Sequence, residues 1–473
     1  MTMEFRQYRE IIALAAPIAG IQFAQVALTS TDLLMMGLIG VQAVAAGGLA
    51  LLLYNQLRTM CVGMVTGLGN LIASAAGQGE TRTSSADLDE PAREEIRDLL
   101  RAALLLATIV AFGAGTLLVG LGHLLPLLGQ DAAVIALAKP IMLALAPGLL
   151  PMLWLNVLRQ FAVGMRRAGS LLMVTLVSIA VNAFLNAVFI YGWFGLPQLG
   201  LAGIGLATTA VNMWTFLVYL RTVLRDQKLG ALIALNGWCA RRETVARIAR
   251  MGTPITLTYG SEAAITSIAA VFMGTFGPVV LAASNIVNQL AYIVYQLNIG
   301  LSHGSSILVS RATGKGEMGK IGAIAARSFT ISFAVMTLVA IAYVAVPGIV
   351  LRPFLGTDAD PAVLAAAGGL LWFAIVHQYC KGAQNICVGL LRGLGNTKAG
   401  LTNTLIGYWL IGIPAMAVCG YWLGWKSYGI WFGLCLGFAV TSALLGWRFA
   451  ADLQAVLKPQ QKDEPAAVRL ASR

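Results

Sequence analysis

Four ionisable side chains stand inside long apolar runs: Asp32, Arg58, Glu262 and Lys381. A charge placed there costs roughly 3 kcal/mol or more and by default marks an ion or substrate path. Asn182 and Asn186 lie four residues apart in another run, so on a helix both amides project from one face. Thr208 follows in the next run. A carboxylate with amide and hydroxyl oxygens suits a sodium ion or a proton relay. The same groups also serve as hydrogen-bonding glue between helices. Glu262 is twelve residues past Arg250, and Lys381 is eleven before Arg392. At a rise of 1.5 Å per residue both reach about 16–18 Å from the same boundary, a matching depth for an ion pair. Such a bridge is either functional or purely structural. Arg58 has Asp32 as its candidate partner, and buried cations in both halves equally suit an anionic substrate. Gln25, Tyr259, Asn288 and Gln384 are further candidates for lining a substrate cavity. His303 and His377 lie within spans; histidine as a residue type titrates near neutrality and can relay protons, although a lone histidine in a membrane span commonly just packs, and His123 sits at a span end.

These side chains need helices in lipid to hold them. Hydrophobic residues make up 58% of the 473 and charged residues 11%, with mean hydropathy +0.79. A water-soluble surface needs about a quarter of its residues charged, so a soluble enzyme or binding domain is excluded. A net charge of +12 points to nucleic acid in a soluble protein, but here the Lys and Arg sit in breaks between apolar runs. Membrane anchoring explains them, and no nucleic-acid partner is expected. The six cysteines form no CxxC pair, so neither a disulfide framework nor a metal site is expected. Arg6 and Arg9 precede the first run without a small-residue cleavage site, which reads as a retained first span.

The runs give spans at 11–36, 43–76, 99–122, 133–158, 170–192, 200–224, 245–274, 279–310, 322–346, 361–391, 399–421 and 428–450. Each is long enough to cross about 30 Å of hydrocarbon. With both termini on the cytoplasmic side, the inner breaks hold Arg82, Arg93 and Arg97; Arg159, Arg166 and Arg167; seven cations from Arg221 to Arg250; Arg311, Lys315, Lys320 and Arg327; and Arg392 and Lys398. The outer breaks hold only Lys139, Arg352 and Lys426. That bias sets orientation.

The chain also repeats itself. Residues 17–80 align without a gap onto 254–317, matching Pro17 with Pro254, Met36-Gly37 with Met273-Gly274, Gly40 with Gly277, Gly63 with Gly300 and Gly79-Glu80 with Gly316-Glu317. Small and turn residues dominate, as tight turns and close helix packing require. A weaker echo links Val163-Gly164 and Arg167 with Val388-Gly389 and Arg392. Both halves keep the same charge orientation, so these are parallel repeats, an arrangement found in transporters whose substrate site lies between the halves. The resulting organisation is an all-α polytopic membrane protein of about twelve transmembrane helices in two pseudo-symmetric six-helix lobes. Residues 1–225 form an N-lobe, 226–243 a cytoplasmic linker, 244–452 a C-lobe, and 453–473 a disordered cytoplasmic tail.

Ala16-Pro17 through Gln25 to Asp32 and Gly37, Gly77-Gln78-Gly79, Thr253-Pro254 through Glu262 to Gly277, and Leu391-Arg392-Gly393-Leu394-Gly395-Asn396-Thr397 occur in the order and spacing of one family. Over residues 8–450 the chain resembles the MATE (multidrug and toxic compound extrusion) transporters, and within them the bacterial multidrug branch. The resemblance implies export of amphipathic, often cationic compounds in exchange for protons or sodium ions, by alternating access. It implies that Asp32, Asn182, Asn186 and Thr208 match the family's N-lobe cation site and that Glu262 matches its acidic residue on span 7. Where that branch carries a second acid on span 10, this chain has Lys381, which departs from the pattern and replaces a coupling cation with a tethered ammonium.

The expected function is therefore a cation-coupled antiporter, driven by protons rather than sodium, exporting a drug, toxin or natural product from the bacterial inner membrane. It would act as a monomer among membrane lipids, with no cofactor beyond the transported proton or sodium ion. The alternatives are a flippase for a lipid-linked saccharide or an exporter of an anionic metabolite. An integral-membrane enzyme is disfavoured, because the sequence has no HExxH, no glycine-rich phosphate loop and no nucleophile–base pair.

Overall fold

Apolar length decides the architecture, because in lipid a helix is the one open segment that satisfies its own backbone. The computed structural model describes residues 3–83, 87–128, 132–167, 169–355 and 361–463. Among them, twelve helices are long and apolar enough to cross a membrane: α1 Gln7–Ile39, α2 Gln42–Thr83, α3 Glu90–Leu124, α4 Ala132–Gly164, α5 Gly169–Tyr191, α6 Leu201–Arg225, α7 Arg242–Gly274, α8 Pro278–Gly314, α9 Gly319–Ala345, α10 Pro361–Gly393, α11 Thr397–Trp422 and α12 Lys426–Lys458. All twelve expected spans are present, and the described residues contain no strand.

Several helices outrun their apolar stretches. α3 starts at Glu90, capped by the Asp89 carboxylate accepting the Ala92 amide at 3.2 Å. α4 continues five residues past Arg159 to Gly164. Arg159 was expected in a polar break, but it is 6% exposed and lies inside the helix. The last helix runs on to Asp463, so residues 453–463, expected as disordered tail, are helical. The run Ala450-Ala451-Asp452-Leu453-Gln454-Ala455 favours helix without needing lipid. Residues 464–473 lie outside the described residues.

The chain divides into two compact units, Ala16–Gly260 and the described residues of Met1–Ala15 with Ser261–Arg473. Within the first, small residues let helices close on one another. A Cβ on Gly203 of α6 would meet the Phe189 carbonyl carbon of α5 at 2.8 Å, and one on Gly205 would meet the Ile141 carbonyl oxygen of α4 at 2.9 Å. Thr209 adds a hydrogen bond to the Ala144 carbonyl at 2.6 Å. These contacts fix the face of α6 that carries Thr208. Within the second unit, Gly389 of α10 leaves no room for a Cβ beside the Ser302 carbonyl of α8, at 2.5 Å. Ser302 and Ser310 donate to the Asn385 and Gly393 carbonyls at 2.6 and 3.0 Å. That seam sets the α10 face bearing Lys381 against α8. In α11, two stretches, Ile406–Gly412 and Val418–Trp422, are wound as π-helix, whose wider turns are uncommon and cluster at functional sites.

The repeat appears in the turns. Gly40 joins α1 to α2 at φ 144°, and Gly277 joins α7 to α8 at φ 106°. Both are backbone conformations that a side chain would strain.

Candidate transport sites

In the unit Ala16–Gly260, three helices converge on one carboxylate. Asp32 of α1 is 4% exposed. One of its oxygens accepts the Asn186 amide of α5 at 2.8 Å, and the other accepts the Thr208 hydroxyl of α6 at 3.1 Å. The Asn186 amide also reaches the Asn182 carbonyl oxygen at 3.3 Å, one helical turn back. Asn182 and Asn186 are 1% and 0% exposed, and the Asn186 Oδ1 has no hydrogen-bond partner. A carboxylate and neighbouring oxygens thus sit in a dry setting, where each is electrostatically stronger than in water.

Asp32, Asn182 and Thr208 line a cavity that also takes in Gln25, Tyr54, Arg58, Asn156, Arg159 and Asn212. The Asn212 amide reaches the Tyr54 hydroxyl at 3.4 Å, and Tyr54 stands in the fields of both Arg58 and Asp32. Asp32 does not pair with Arg58: among the described residues no carboxylate lies within ion-pair distance of Arg58 or Arg159. Tyr259 lies close to Arg159.

The other unit holds a different arrangement. Lys381 Nζ of α10 lies 2.8 Å from Glu262 Oε1 of α7, both side chains almost fully buried. The ammonium also lies over the Tyr295 ring of α8 at 4.4 Å and the Phe438 ring of α12 at 4.8 Å, distances at which a ring face attracts a cation. From the π-wound part of α11, the Tyr408 hydroxyl donates to Gln384 at 2.8 Å, and its ring meets Phe438 edge-on. His377, one turn before Lys381, is wedged against Phe438 and Trp431 and has no hydrogen bond at either ring nitrogen. Its neighbours are rings rather than a proton path. His303 lies in α8, and Asn288 makes no polar contact among the described residues.

The singled-out residues thus fall into two groups: Gln25, Asp32, Arg58, Asn182, Asn186 and Thr208 with Tyr259 nearby, and Glu262, Lys381 and Gln384. Sequence reasoning missed Arg159 and Asn156. Their i, i+3 spacing on one helix face was the available signal. It also missed Tyr295, Tyr408 and Phe438, which in sequence resemble ordinary apolar filling.

Buried ionisable groups carried on membrane-length helices, duplicated along the chain, belong to the class of polytopic membrane transporters. The chain belongs to the MatE family, whose model matches residues 17–188 and 254–418, one block in each sequence repeat. Members of that family move solutes and are not enzymes. The chain is 32% identical to the probable multidrug resistance protein NorM of Pseudomonas aeruginosa, over 98% of this chain and 93% of that one. It is 31% identical to the probable NorM of Rhizobium meliloti, over 95% and 94%. Among solved structures, it matches the eukaryotic MATE transporter AtDTX14 with TM-score 0.82 at 17% identity, covering 96% of this chain and 99% of that one. It matches a multidrug resistance MATE transporter in an outward-facing conformation with TM-score 0.83 at 17% identity, covering 97% and 99%. At those identities the likeness is one of fold.

Proposed function

We propose that this protein is a proton-coupled antiporter exporting amphipathic compounds from a bacterial cell across its inner membrane by alternating access. The observation that carries the reading is the Asp32 cluster, a buried carboxylate held by Asn186 and Thr208 from two other helices and facing a polar cavity. A carboxylate there can take up a proton on one side of the membrane and yield it on the other. Sodium is disfavoured in the half containing Glu262, because the Lys381 ammonium already neutralises that acid. The names of the NorM relatives support export of drugs. In this reading the halves 1–225 and 244–452 are the moving lobes, and the protein works as a monomer.

The test is transport of a fluorescent cationic dye into or out of proteoliposomes under separately imposed gradients. A pH gradient should drive accumulation, and a sodium gradient at uniform pH should not. Dependence on sodium alone would replace the proton by sodium in the mechanism, and transport under neither gradient would end the antiport reading.

Orientation follows the charges, with both termini cytoplasmic. In a background lacking all six cysteines, Leu196→Cys, in the exposed turn after α5, should react with an impermeant maleimide in intact cells. Leu235→Cys, exposed in the segment between α6 and α7, should react only after the membrane is opened. Reaction of Leu235→Cys in intact cells would invert the topology.

A further inference from the structure

The cavity beside Asp32 has a second, positive pole that the antiport reading does not use. Arg58 of α2 and Arg159 of α4 both line it, and they are near enough to repel one another. Arg159 is 6% exposed, and the Arg58 Nε is buried with no hydrogen-bond partner. Each guanidinium presents five N–H donors in a flat fork. Among the described residues neither has a carboxylate within ion-pair distance. Two like charges lining one cavity repel each other, and an anion bound between them offsets that repulsion. The cavity's one acid, Asp32, accepts hydrogen bonds from Asn186 and Thr208 and, among the described residues, forms no ion pair with either arginine. Asn156, one turn before Arg159 on the same helix, adds a buried Oδ1 with no partner, ready for a donor on the same guest.

We infer that Arg58 and Arg159 receive a carboxylate of the transported compound, so that the cavity prefers amphiphiles bearing both a positive ring system and a carboxylate. Guanidinium forks match a planar carboxylate with paired, charge-assisted hydrogen bonds, which a neutral ester cannot accept as well. The carboxylate end settles against the arginines, and the positive end is left for Asp32. Binding of such a guest relieves the repulsion between the two arginines, so the preference is built into the empty cavity. This inference rests on the exporter reading and narrows its substrate class.

The test uses rhodamine B, which carries a free carboxylate, and rhodamine B ethyl ester, which shares its cationic ring system. Binding to the purified full-length protein in detergent is read by fluorescence anisotropy. The wild type should hold rhodamine B at least about tenfold more tightly than the ester, the ratio expected for one charge-assisted pair. Arg58→Gln and Arg159→Gln should each weaken rhodamine B by about that factor and leave the ester unchanged, abolishing the preference. Equal binding of the two dyes by the wild type overturns the inference without recourse to any variant. Loss of both dyes in parallel in the variants also overturns it, assigning the arginines to packing. The gradient experiment above is separate: equal dye binding with intact pH-driven transport sinks the carboxylate site alone, whereas absence of transport sinks the exporter reading.

Discussion

Asp32→Asn should leave the protein folded and reduce pH-driven transport to the level of empty liposomes. The asparagine is nearly isosteric. Its carbonyl oxygen can keep accepting from Asn186, at the place where Asp32 now accepts at 2.8 Å. Its amide can turn to the Thr208 hydroxyl, which accepts as readily as it donates. The local hydrogen bonds therefore survive, and what is lost is the site where a proton binds. Thr208→Val should act more mildly, because it removes one of the two ligands and keeps the charge. The measurement is initial transport rate in proteoliposomes, with thermal midpoint in detergent as the control for folding. Wild-type rates in Asp32→Asn would remove this residue from the coupling mechanism.

The second large effect belongs to Glu262 and Lys381. Breaking a buried ion pair from one side costs about 3–5 kcal/mol, because a charge is stranded. Lys381→Met and Glu262→Gln should each lower the thermal midpoint and the transport rate, and the double variant should be less damaged than the worse single one. The two singles should differ. In Glu262→Gln the ammonium keeps the faces of Tyr295 and Phe438, whereas in Lys381→Met no cation is left beside the carboxylate. Lys381→Met should therefore be the more destructive. Lys381→Asp would restore two acids, and sodium should then raise its stability. Strictly additive losses in the double variant would mean that the two side chains do not act on each other.

Much of this was readable in the chain because lipid enforces simple rules. Twelve apolar runs can only be helices, and an Asp, Glu or Lys within them stands out by its cost. Matching depth was enough to bring Glu262 to Lys381, since both count from a boundary along helices of fixed rise. Arg159 escaped because hydropathy ends a span where charge begins, while the helix itself continues five more residues and buries the guanidinium. Tyr295 and Phe438 escaped for the opposite reason. An aromatic ring in an apolar run carries no local mark of facing an ammonium, which only the seam between α8 and α10 and the packing of α12 decide. The π-wound turns of α11 were equally silent, since Gly407, which positions that helix against Thr441 of α12, reads as one small residue among many.

The tether on Lys381 also has a thermodynamic consequence. An ion held by binding can be released on the far side of the membrane, but an ammonium on a side chain never leaves the protein. In the proposed antiport mechanism, a half neutralised in that way would carry no net ion across in a cycle, and coupling would fall to the single carboxylate at Asp32. One proton per turn of the cycle sets a ceiling: each unit of pH difference supplies about 1.4 kcal/mol, enough for roughly a tenfold concentration ratio of a substrate. Any charge carried net across the membrane adds about 2.3 kcal/mol per 100 mV. Under the proposed mechanism, the steepness of export would thereby be bounded by one lysine in the half that moves no ion.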